Sequence, residues 1–83
     1  MLKYMLIDTV DREISTPQFF DSAEAAHAQM EKELLEQLDS YDYYKEGDDY
    51  QISELSAWAN PHVDSDWLIF KVLIENGEIT VIR

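Results

Sequence analysis

Residues 67–83 read WLIFKVLIENGEITVIR, and this stretch decides the fold. Its first eight residues are apolar except for Lys71, which is typical of a β-strand with little exposure. Asn76 and Gly77 follow, and both residue types tolerate the positive φ angles of a two-residue hairpin turn. Residues 79–83 (ITVIR) are again β-compatible. The stretch therefore predicts an antiparallel hairpin.

A helix is predicted upstream of this hairpin, from Ser22 to about Ser40. Asp21 and Glu24 have the spacing of a capping box, in which each side chain accepts a hydrogen bond from an otherwise unpaired backbone amide. One stripe at the helical repeat consists of Ala23, Ala26, His27, Met30, Leu34, Gln37 and Leu38. The opposite side is mostly polar, so the pattern predicts an amphipathic helix that lies on a sheet.

Three further segments complete the predicted sheet. Residues 2–7 (LKYMLI) read as an inner strand, and residues 13–20 (EISTPQFF) read as an edge strand because they contain Pro17. Residues 50–59 (YQISELSAWA) fit a strand or a short helix, and we favour the strand. The prediction is one α+β domain over residues 1–83, in the order ββαβββ. An antiparallel sheet of four to five strands would carry one amphipathic helix on one face.

Alternation along the strand at residues 67–74 leaves two apolar faces. We expect Leu68, Phe70, Val72 and Ile74 to lie beneath the helix. The opposite face would then expose an apolar interface, which consists of Trp67, Ile69 and Leu73 beside Lys71. Such a patch is covered either by a dimer or binding partner or by neighbouring loops.

The charge of the chain restricts its partners. Eighteen acidic residues face six basic ones, for a formal net charge of −12, which disfavours direct binding of nucleic acid or an anionic membrane. There is no cysteine, which excludes disulfides, thiol catalysis and cysteine-ligated zinc and fits a cytoplasmic location. The N-terminal sequence lacks the apolar length of a signal peptide. Basic protein surfaces are the compatible partners.

Acid and tyrosine are interleaved over residues 31–50, EKELLEQLDSYDYYKEGDDY. This segment holds eight carboxylates and four of the five tyrosines, and tyrosine is enriched at protein interfaces. It is either a solvated helix face with a solvated loop, or a surface that binds a basic protein. In the second case the partner-binding residues are Glu36, Asp39, Tyr41, Asp42, Tyr43, Tyr44, Asp48 and Asp49. Spaced carboxylates can also imitate the phosphates of a nucleic acid.

Metal binding and catalysis find little support in the sequence. An EF-hand centred on Gly47 would place Tyr44 at the third position, which requires an oxygen donor, and Ser53 at the twelfth, which requires a bidentate glutamate, so the pattern fails. HVDSD at residues 62–66 reads as a polar loop. His27 reads as a boundary histidine with a hydrogen-bond partner rather than as a base. We therefore predict no enzyme, no catalytic residue, no metal and no cofactor.

Two short segments resemble known proteins. Residues 57–60 (AWAN) and 66–70 (DWLIF) resemble small uncharacterised acidic proteins of bacterial mobile elements, which assigns no named family. The first half is similar to Hic-type antitoxins, which place a short antiparallel sheet before a helix. That family has a Pro-Gly loop before the helix, where this chain reads STPQFF over residues 15–20.

Three functions follow as hypotheses. The first is a non-enzymatic acidic protein that binds a basic protein surface, with action as a nucleic-acid mimic or inhibitor as one form of this hypothesis. The second is an antitoxin-like or regulatory homodimer that associates through the apolar sheet face. The third is a domain with a small carboxylate or metal site.

Overall fold

The computed structural model describes residues 1–10, 13–40, 50–59 and 65–82. Its elements are β1 (Leu2–Val10), β2 (Glu13–Ile14), β3 (Gln18–Phe20), α1 (Ala23–Ser40), β4 (Tyr50–Ile52), β5 (Ser56–Ala59), β6 (Ser65–Glu75) and β7 (Glu78–Val81). All strands belong to one antiparallel sheet, and α1 packs on one side of it. The predicted α+β fold is confirmed.

The sheet has seven strands in the described part of the chain, where four to five were predicted. The segment at residues 13–20 forms two strands, β2 and β3, because four steps from Ile14 to Gln18 face only three steps on β1. The extra residue is a bulge beside Pro17, which has no amide to donate. The segment at residues 50–59 is extended as favoured, but it folds as a hairpin of β4 and β5.

The central pair of the sheet is β1 and β6. Their pairing is continuous from Leu2 opposite Leu73 to Val10 opposite Ser65. The short strands β2 and β3 pair with the outer edge of β1, whereas β5 and β7 pair with opposite ends of β6. The two long strands therefore determine which side chains share a face.

The N-cap of helix α1 lies one residue later than predicted. Ser22 Oγ accepts a hydrogen bond from the amide of Ala25 at 3.1 Å, so Ser22 is the N-cap. Asp21 instead forms an ion pair with Lys3 on β1. Glu24 is then the second helical residue and not the third, which a capping-box glutamate would occupy.

The core lies between α1 and the sheet. The helix contributes four fully buried residues at spacings of four, which are Ala26, Met30, Leu34 and Leu38. Opposite them lie five buried sheet residues, Leu6, Ala57, Ala59, Trp67 and Ile69. The two alanines on β5 have small side chains, which lets the helix lie close to this strand. The predicted helical stripe is thus the core stripe.

The predicted faces of β6 are wrong. Trp67 is 2% exposed and Ile69 is 5% exposed, and both lie in the core beneath α1, whereas Leu68 is 47% exposed. Leu73 alternates with Trp67 and Ile69 along the strand and is half-buried. Both faces of β6 are apolar, so alternation alone does not select the one that the helix covers. The predicted apolar interface of Trp67, Ile69 and Leu73 is therefore not the uncovered face.

The predicted turn at Asn76 and Gly77 is confirmed. Their φ angles are 51° and 82°, and Glu75 pairs with Glu78 across the turn. Two consecutive positive φ angles are the mark of a type I′ turn.

We expect Gly77→Ala to lower the free energy of unfolding by about 1 kcal/mol, because a side chain is strained at this positive φ. A Cβ at this position would meet no atom within 4 Å, so the strain is in the backbone alone. Asn76→Gly is the control, since glycine adopts the same φ freely. Urea denaturation measures both variants, and equal losses would contradict the turn type.

Candidate functional site

The outer surface of α1 is acidic. Glu24, Glu31, Glu36 and Asp39 are exposed there, and we call this surface the acidic side. The one lysine of the helix, Lys32, lies 4.0 Å from Glu36, with both side chains 65% exposed. A pair so well solvated offsets little of the negative potential.

Of the eight predicted partner-binding residues, two are on the acidic side, Glu36 and Asp39. The other six lie outside the described residues, and these are Tyr41, Asp42, Tyr43, Tyr44, Asp48 and Asp49. The two predicted residues on α1 are therefore exposed on an acidic surface. The predicted role of the tyrosines stays a prediction.

Glu33 is the main polar residue that the sequence reasoning missed. It was read as part of a solvated helix face, yet it is half-buried. Its Oε2 accepts hydrogen bonds from Gln18 Nε2 and Gln29 Nε2, both at 2.8 Å, and its Oε1 accepts one from Trp67 Nε1 at 3.2 Å. One carboxylate thus connects β3, α1 and β6. Its position seven residues after Ala26, at the edge of the core stripe, was the available signal.

Asp8 lies on the same side of the sheet as Glu33. Burial raises the pKa of Asp8, and the nearby Glu33 carboxylate raises it further. Ser15 Oγ donates to Asp8 Oδ2 at 3.2 Å, which offsets part of this increase. Paired carboxylates can serve as acid and base. Here, however, Glu33 accepts three hydrogen bonds from side chains of the chain itself, which is the pattern of a structural carboxylate.

His27 has the hydrogen-bond partner that was predicted for it. Its Nδ1 lies 3.0 Å from the carbonyl oxygen of Glu54, and its Nε2 lies 3.7 Å from Glu31. Ala23, Glu24, His27 and Glu54 line a small cavity of about 260 Å³. The carbonyl is only an acceptor, so Nδ1 carries the proton and joins α1 to the β4–β5 turn.

Metal ligands do not converge in the part of the chain that the structure describes. Within residues 1–10, 13–40, 50–59 and 65–82, no three histidine, aspartate or glutamate side chains form a group that could hold an ion. Of the predicted polar loop, His62 and Asp64 lie outside these ranges, and Asp66 is exposed on β6.

The side of the sheet opposite α1 is apolar, and we call it the back face. Directly paired residues share a face, so the pairing of β1, β3, β6 and β7 assigns its members. They are Met5, Ile7, Phe19, Leu68, Phe70, Val72, Ile74, Ile79 and Val81, with Trp58 on β5 beside them. Phe19, Trp58, Leu68, Ile79 and Val81 are exposed, whereas Met5 and Val72 in the middle of the face are buried. Among the described elements, none packs over this face, because α1 lies on the other side and all the rest are strands of the same sheet.

One end of the back face is concave. A depression of about 400 Å³ is lined there by Ile7, Thr9, Ser56, Ala57, Trp58, Asp66, Trp67 and Leu68. The indole of Trp58 lies at this end, and its Nε1 donates to Gln51 Oε1 at 3.3 Å. This depression could receive an apolar side chain of another molecule.

Comparison of the chain with protein-family models, with curated proteins and with solved structures gives no significant match in any of the three. The resemblance to acidic proteins of mobile elements therefore stays a prediction. In the described residues, no helix has both the length and the apolar character needed to cross a membrane. Any function has to be argued from the two surfaces and the polar cluster.

We expect Glu33→Ala to lower the free energy of unfolding by about 1–3 kcal/mol, because it leaves the buried Trp67 Nε1 without an acceptor. The matched control is Glu36→Ala on the exposed side of the same helix, which should change stability by less than about 0.5 kcal/mol. Urea denaturation at pH 7 gives both values. Similar losses in the two variants would contradict the role of Glu33.

We expect Asp8→Asn to stabilise the chain at pH 7. The pKa of Asp8 in the folded chain is above its ordinary value of 3.8, so folding disfavours the ionised form. The cost of its charge develops as pH rises from 3.8 through the raised pKa, and it is absent below both. The gain should therefore disappear in acid.

The control for Asp8→Asn is Glu13→Gln, which removes an exposed negative charge and reports general relief of repulsion. Unfolding free energies of both variants and the wild type are measured from pH 7 down to about pH 3, close to the ordinary aspartate pKa. A gain for Asp8→Asn that equals the control at every pH would contradict the role of burial.

Proposed function

We propose that this chain is a non-enzymatic interaction protein whose acidic side binds a basic protein surface. The observation that carries the proposal is the placement of charge. Helix α1 presents Glu24, Glu31, Glu36 and Asp39 outward, and its one lysine is beside Glu36. The carboxylates that do turn inward accept hydrogen bonds from Ser15, Gln18, Gln29 and Trp67, so they act in the fold rather than in chemistry.

The net charge supports the same proposal. Twelve excess negative charges lie on a chain with a radius of gyration of 13.5 Å. Self-repulsion of this kind destabilises the compact state. A basic partner would relieve it, and association would be accelerated by the field around the chain. The acidic residues of the proposal are therefore unfavourable for the isolated chain and favourable for the complex.

This proposal has a signature in salt. Raising the ionic strength shortens the Debye length from about 10 Å at 0.1 M to about 3 Å at 1 M. Screening should raise the melting temperature of the isolated chain, because it weakens self-repulsion. The same screening should weaken binding to the basic partner by about tenfold or more. Added salt is therefore expected to stabilise the isolated chain and to weaken the complex.

The test is affinity capture from a cell lysate at low salt with two triple variants. The first variant is Glu31→Gln, Glu36→Gln and Asp39→Asn, which removes three of the four carboxylates of the acidic side. The second is Glu13→Gln, Glu75→Gln and Glu78→Gln, which removes the same number of exposed charges from the strands. Wild type and the second variant should recover basic proteins, and the first should lose them.

Two outcomes would contradict the proposal. One is that the wild-type chain recovers no basic protein at low salt. The other is that both triple variants lose binding equally, since net charge and not the acidic side would then be responsible. Melting temperatures of the variants show that each is folded before capture.

A further inference from the structure

We propose that the back face is the interface of a homodimer, in which a second copy of this chain packs sheet against sheet. This inference concerns the side of the molecule opposite the acidic side and does not depend on the basic partner. It is carried by the composition of the back face, its charge and its size.

The composition shows that the back face is built to be covered. A solvated face of an antiparallel sheet normally carries polar residues in alternation with the buried ones. On β6 both sets are apolar, since Trp67 and Ile69 point to the helix and Leu68 and Phe70 point away from it. The same holds at the turn end, where Val72 pairs with Val81 and Ile74 pairs with Ile79 on the back face. Exposed apolar surface of this extent marks an interaction site.

The charge of the back face selects a second copy as the occupant. Its charged residues in the described strands are Lys3 and Asp66, of opposite sign, and Lys3 already pairs with Asp21. A basic partner would find almost no carboxylate here. A second copy would contact this face with a back face of the same neutral character. Although each chain has a net charge of −12, few of these charges would lie next to each other at the contact.

Distance keeps the acidic sides of the two copies apart. Stacked sheets pack about 10 Å from each other. Each α1 would lie on the far side of its own sheet, so two sheets separate the two helices. That separation exceeds the Debye length of about 8 Å at physiological ionic strength. The repulsion between the acidic sides is therefore largely screened, and apolar burial decides the association.

The size of the face suits a stable dimer. The eleven residues of β6 extend about 36 Å at about 3.3 Å per residue. Four neighbouring strands at about 4.8 Å cover a width of about 19 Å. The outline of the face is about 700 Å² per copy, which is an upper limit because Met5 and Val72 are already buried, and specific complexes bury about 600–1,000 Å² per partner. Crystal-packing contacts are mostly smaller than this.

The arrangement that follows is a two-fold sandwich. The same patch serves both copies, as in most homodimers, and the mean strand directions would cross at about 30° as in aligned sheet packing. The order of layers is helix, sheet, sheet, helix. The depression beside Trp58 in each copy could receive an exposed apolar side chain of the other. The two acidic sides then face outward in opposite directions.

The main test uses one substitution at two sites of equal exposure. Leu68 on the back face is 47% exposed, and Leu55 in the turn between β4 and β5 is 46% exposed. Sedimentation velocity and light scattering over about 10 μM to 1 mM should give twice the chain mass for the wild type and for Leu55→Glu. Leu68→Glu should be a monomer. Its dimer dissociation constant should rise at least about tenfold, which corresponds to a loss of about 1.4 kcal/mol.

A milder variant keeps the test valid where Leu68→Glu does not fold. Val81→Thr nearly preserves the volume and the strand preference but adds a hydroxyl to the back face. Circular dichroism verifies its fold, and on dilution its dimer should dissociate at a higher concentration than the wild-type dimer does. Raising the salt concentration should leave the dimer intact or strengthen it, whereas it weakens binding to a basic protein. Failure of one proposal is thus distinguishable from failure of the other.

The geometry can be tested separately because the chain has no cysteine. Ala28→Cys places one spin label on the exposed side of α1. In a back-face dimer the two labels are separated by two sheets, so their distance should exceed about 20 Å, twice the spacing of packed layers. A wild-type monomer at 1 mM, equal effects of Leu55→Glu and Leu68→Glu, or a short distance between labels would each overturn the proposal.

Discussion

The contact between Trp67 and α1 is the constraint on which the rest of this structure depends. The indole is 2% exposed, and its Nε1 donates to Glu33, which also accepts from Gln18 and Gln29. A strand has a strict period of two, so placing one side chain beneath the helix fixes every other side chain of β6. Because β1 pairs with β6 in continuous register, the same placement also determines which side chains of β1 face the helix. The back face is a consequence of this one placement.

The same placement separates charge from apolar surface. Acidic residues of α1 point away from the sheet, and the sheet beneath it is apolar on both of its sides. Hydrophobic burial is short-ranged, whereas repulsion between carboxylates extends over a Debye length of about 8–10 Å. A chain with these two properties on one surface would oppose its own association. With the properties on opposite sides, each surface can bind a different kind of partner without conflict.

Much of the fold could be predicted because several sequence signals agree with each other. The stripe from Ala26 to Leu38 and the turn at Asn76 and Gly77 are set by local physics, and both were found. The N-cap was misplaced by one residue because Asp21 and Ser22 are equally good caps. Lys3 decides between them, and it comes from a distant part of the chain. The bulge beside Pro17 also depends on pairing with β1, which local patterns do not contain.

The surfaces were harder to predict than the fold, and the reason is the composition of β6. Its alternate residues have similar hydrophobicity, so selection of the covered face falls to tertiary contacts such as the bond from Trp67 to Glu33. The sequence predicted a second apolar face, covered either by a partner or by neighbouring loops, but the prediction assigned this face to Trp67, Ile69 and Leu73. A chain of 83 residues has a small core, and one helix covers one side of its sheet. An apolar second side exceeds what this helix can bury, and in the proposed homodimer a second sheet of the same shape would supply the missing layer.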